Sequence, residues 1–60
     1  MIEKAKKALT TADNLTDLVN QMISETSNLD LQRILKQVDA DLMDIKHKLS
    51  TAATFAEKGV

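Results

Sequence analysis

Apolar side chains recur at alternating steps of three and four along both halves of the chain, the repeat of helices that pack along their length. In the first half the stripe runs through Met1, Ala5, Ala8, Ala12, Leu15, Val19, Met22, Thr26 and Leu29, flanked by Ile2, Leu9, Leu18 and Ile23. In the second half it runs through Leu31, Leu35, Val38, Leu42, Ile45, Leu49, Ala52 and Ala56, with Ile34 and Phe55 on one shoulder. Lys36, Gln37, Asp39, Asp41, Asp44, Lys46, His47 and Lys48 fall between these positions and read as a hydrated face. The apolar band is wider than a two-stranded coiled-coil seam and closer to that of a bundle helix.

The repeat breaks at Ser27-Asn28-Leu29-Asp30. The pattern therefore predicts an all-α antiparallel helical hairpin: a helix over about 3–26, a turn at 27–30 and a second helix over about 31–57. Asn28 tolerates the left-handed conformation that ends many helices, which would fold Leu29 back onto Ile23. Asp30 can then cap the second helix, with Leu29 and Ile34 as a hydrophobic staple, while Ser27 is an equally legal cap. Short connections favour antiparallel neighbours. The chain has no Pro, and its one Gly, Gly59, stands where it would end the second helix.

Residues 1–60 are read as one helical-hairpin unit. Domains this small are marginally stable, and usually recover stability through disulfides, a structural metal or oligomerisation. With no Cys and a single His, His47, this chain is left with oligomerisation. The predicted arrangement is a homodimer closing into a four-helix bundle, whose core draws on Leu15, Val19, Met22, Leu31, Leu35, Val38, Leu42, Ile45 and Leu49. A fold at residue 28 sets Ala5, Ala8 and Ala12 beside Ala52, Ala53 and Ala56. It also brings Leu15, Val19 and Met22 to Leu42, Val38 and Leu35, so most apolar volume lies toward the turn.

Charge adds little attraction for other partners, since nine acidic residues face eight basic ones. Nucleic acid would need a local patch, and Phe55, the only aromatic residue, offers no stacking platform. The charged start Met1-Ile2-Glu3-Lys4-Ala5-Lys6-Lys7 leads into no apolar stretch of signal-peptide or membrane-span length, so the default expectation is a cytoplasmic protein with no membrane partner.

Candidate chemistry is sparse. Asp44 and His47 have the i, i+3 spacing of bundle metal ligands, but the wheel turns them away from the apolar stripe. Asp39, Asp41 and Asp44 point in different directions around their helix. Asp41, beside the stripe, is placed to pair with a neighbouring helix. Lys4, Lys6 and Lys7 open the first helix and gather near Lys46, Lys48 and Lys58, a cluster diluted by Glu3, Asp13, Asp44 and Glu57. Thr16 and Thr26 interrupt apolar territory, where a buried Thr usually bonds back to the preceding turn. No nucleophile and base pair stands out and no cofactor is implied; the expectation is a non-enzymatic module.

Ala8-Leu9 with Ala12, Leu15 and Met22, and Leu29-Asp30 at the turn, resemble the Rop-like family of RNA-binding helical hairpins over nearly the whole chain. That resemblance implies a dimer of hairpins and an RNA-binding face on the first helix, where Lys4, Lys6, Lys7 and Asn14 would make the contacts. Asn14 occupies the place of that family's central aromatic residue, and the second-helix seam is shifted by one residue. A second stretch, Val19-x-x-Met22-Ile23-x-x-Thr26-x-Asn28 continuing to Leu35, Leu42 and Leu49, resembles a family of small two-helix proteins of unknown function from spore-forming bacteria. That family's acidic tail, which contains Pro-Tyr, is missing here. The leading expectation is thus a homo-oligomeric interaction or assembly module, with an RNA-binding regulator as the alternative.

Overall fold

The computed structural model describes residues 1–59 as two helices, α1 (Ile2–Glu25) and α2 (Leu29–Glu57), folded into an antiparallel hairpin measuring 47 × 15 × 10 Å. No cis peptide bond occurs among the described residues, and positive φ is confined to Gly59. The helical hairpin expected from the sequence is present, with a tighter connection than expected.

The connection is Thr26, Ser27 and Asn28, and the second helix starts at Leu29. Thr26 leaves α1 in an extended conformation, its N–H still bonded to the Met22 carbonyl at 3.2 Å. Asn28 is also extended, at φ −77°, instead of left-handed. Its side-chain oxygen accepts the Leu31 N–H at 3.1 Å, making Asn28 the cap in place of Ser27 or Asp30. Asp30 sits in the first turn, where its charge suits the helix dipole. Leu29 is 69% exposed, so it neither folds back onto Ile23 nor forms the expected staple.

Two further bonds fasten the turn. The Asn28 N–H donates to Thr26 Oγ1 at 3.1 Å, and Gln32 Nε2 donates to the Thr26 carbonyl at 2.8 Å. Thr26 Oγ1 thus serves the turn, whereas Thr16 behaves as expected and donates to the Ala12 carbonyl at 2.8 Å. At the other end Lys58 and Gly59 N–H groups reach the Thr54 and Ala56 carbonyls, and Gly59 adopts φ +69°, so the helix ends at this glycine. The start of α1 is weaker, because Met1 supplies no side-chain cap and Lys4, Lys6 and Lys7 oppose the dipole.

The interior is small. Val19, Leu35 and Leu42 form the buried cluster with Ile23 packed on it, and Ala12 is the other buried residue. Along α1 and its C-terminal cap the buried and half-buried positions are Ala5, Ala8, Leu9, Ala12, Thr16, Val19, Ile23 and Thr26. Along α2 they are Gln32, Leu35, Asp39, Leu42, Lys46, Leu49, Ala53 and Ala56. Both sets keep the three-four repeat, but neither is the set expected from hydrophobicity alone. Asp39 and Lys46, read as hydrated, belong to the seam between the helices.

Candidate interaction face

The seam inside the hairpin gives each remaining residue a side. Successive residues of a helix are rotated by about 100°, so those preceding a seam position face one way and those following it face the other. Because the helices are antiparallel, the preceding residues of both fall on the same broad side of the hairpin. On that side stand Leu15, Leu18 and Met22 of α1 and Ile34, Val38 and Ile45 of α2, all exposed. Asp41 lies among them.

The opposite side carries Asp13, Asp17, Asn20 and Ser24 of α1 and Lys36, Ala40, Met43 and His47 of α2. Two contacts close the seam there: Asn20 Nδ2 donates to Asp39 Oδ1 at 3.1 Å, and Lys46 Nζ meets Asp13 Oδ1 at 3.2 Å. Their presence confirms that this edge is shared by both helices. They let Asp39 and Lys46 occupy seam positions by reaching outward to polar partners. Each contact is worth little in energy, being solvent-accessible, but each fits only one register of the helices. The hairpin therefore has one hydrated side and one oily side.

The nine residues expected to form an oligomer core divide accordingly. Val19, Leu35 and Leu42 are buried inside a single hairpin, and Leu49 is half-buried there. Leu15, Met22, Leu31, Val38 and Ile45 are between 36% and 47% exposed, on or beside the open side. Sequence reasoning missed Ile23, Thr16, Gln32, Asp39 and Lys46 as seam residues. For the two charged ones, the available signal was that they keep the three-four step with Leu35, Leu42 and Leu49.

The other candidates are surface groups. Asp44 and His47 are exposed, and Asp44 pairs with Lys48 at 3.1 Å on the same helix. No three His or acidic residues converge as a metal site among the described residues. Lys4, Lys6, Lys7 and Asn14 are all exposed; Lys4, Lys7 and Asn14 share a side of α1 by the same rotation rule, while Lys6 diverges from Lys7 by about 100°. A depression along Glu3, Lys6, Lys7, Thr10 and Thr11 is open to solvent and shaped by exposed side chains of a single helix. No helix among the described residues is long and apolar enough to cross a membrane. Comparison of the chain with protein-family models, curated proteins and solved structures finds no match.

Proposed function

We propose that this chain is a homo-oligomeric, non-enzymatic interaction module, in which the oily sides of two hairpins pack together as a four-helix bundle. What carries the reading is the exposure of Leu15, Leu18, Met22, Val38 and Ile45 together on one side, beside a core of four buried residues among those described. The area points the same way. The chain exposes 4760 Å², against about 3,900 Å² for a compact monomer of its 6.6 kDa mass. The excess, about 900 Å², is close to the roughly 800 Å² that one partner loses in a standard interface. A second copy is the natural occupant, because an isologous two-fold interface needs only one oily surface per chain.

A pair of charged substitutions tests this. Val38→Asp places an unpaired charge on the oily side and is expected to yield monomers by sedimentation equilibrium, with reduced helicity. Met43→Asp, also on α2 but on the hydrated side, is expected to associate as the native chain does. Equal behaviour of the two variants would refute the proposed interface. The Rop-like alternative rests on Lys4, Lys7 and Asn14. On the present reading, paired RNA hairpins are expected to show no mobility shift at low salt; a shift that falls steeply with salt and is lost in Lys4→Ala/Lys7→Ala would move the assignment to an RNA regulator.

A further inference from the structure

We infer that the two hairpins dock antiparallel, each turn lying over the open end of the other, with the two-fold axis across the middle of the oily side near Leu15 and Ile45. This inference rests on the homodimer reading above and adds its orientation. Two independent features of the hairpin carry it.

The first is volume. On the oily side, the half nearer the turn presents Leu18, Met22, Leu31, Ile34 and Val38, whereas the half nearer the termini presents Lys4, Lys7, Thr11, Lys48 and Ala52 beside Ile45 and Phe55. Loop-to-loop docking would set large apolar residues against one another at the turn end and leave mainly lysines and small residues facing one another at the terminal end. Overpacking strains the one half and like charge weakens the other, and both cost stability. Antiparallel docking sets each bulky half on the partner's terminal half, where the aliphatic stems of lysines cover apolar surface and their ammonium groups reach water.

The second feature is charge. The contacts Asp13–Lys46 and Asn20–Asp39 fix which residues stand level, and the hairpin midpoint falls near residues 15 and 44. The terminal half, residues 1–14 and 45–60, holds six lysines against Glu3, Asp13 and Glu57. The turn half holds six carboxylates against Arg33 and Lys36. The molecule is a rod with a basic end and an acidic end. In a loop-to-loop dimer like charges would collect at both ends. In the antiparallel dimer Lys48 comes level with the partner's Asp41, and Lys4 with the partner's Glu25, all four on the oily side by the same rotation rule. Such facing charges set orientation, because the wrong arrangement is repelled.

The native chain has no Cys, so a single introduced thiol labels one place per subunit. Ser27→Cys in the exposed turn, carrying a nitroxide, is expected to give a dipolar distance of roughly 40 Å between subunits, twice the rise from midpoint to turn. Glu57→Cys at the other end is expected to give a similar distance, which guards against a local effect in the turn. Dimers with both distances within roughly 20 Å, about two helix diameters, would overturn the orientation while leaving the dimer intact. Monomers without dipolar coupling would overturn the homodimer reading itself. As a check on the charge argument, Lys48→Asp is expected to weaken dimerisation severalfold and Lys48→Asp/Asp41→Lys to restore it; failure of that rescue would count against the antiparallel pairing.

Discussion

At the scale of single residues, the turn shows how local chemistry divides labour. Asn28 ends up as a cap, and the reason lies in its neighbours. Thr26 Oγ1 takes the Asn28 N–H and Gln32 reaches back to the Thr26 carbonyl, so the chain reverses without any left-handed residue. Asn28→Ala is expected to cost about 1 kcal/mol, read as a lower midpoint in urea denaturation, whereas Asp30→Ala, which removes only a dipole contact, should cost less. Leu42, only 5% exposed, has no such tolerance. Leu42→Asp is expected to destabilise by about 3 kcal/mol or more, an unpaired buried charge in a hairpin with little stability to lose. Circular dichroism should show loss of helix, and full retention of helicity would disprove its placement in the core. The importance of Asn28 was legible in the sequence; its role was not, because cap and left-handed stop favour the same residue type.

At the scale of the helices, the period was legible and its division between neighbours was not. A three-four stripe records only that a face is covered. On α2 the readable stripe mixes Leu35, Leu42 and Leu49, which face α1, with Val38 and Ile45, which stand one turn-step aside. Hydrophobicity cannot separate two adjoining seams, and it hid Asp39 and Lys46, whose polar ends exit toward Asn20 and Asp13. These pairs select a register more than they stabilise it. Replacing both with Leu is accordingly expected to raise the thermal midpoint and to broaden the distribution of oligomers, as followed by calorimetry and sedimentation together. A lower midpoint would mean that the polar contacts hold the hairpin together energetically.

At the scale of the whole molecule, two helices enclosing four buried residues among those described make a slender object with one wet side and one oily side. Its bulky and acidic half, and its small-residued and basic half, differ enough that the hairpin has a direction as well as a face. Those asymmetries follow from the order of residues along the chain and could be traced as soon as the turn was located. The purpose that the proposed assembly would serve is a matter of partners. The most direct test is sedimentation equilibrium of the native chain at micromolar concentration, with helicity recorded on the same samples. The account predicts a mass twice the 6.6 kDa of the chain, with helix content and mass falling together on dilution. A fully helical monomer, stable across the same range, would contradict it.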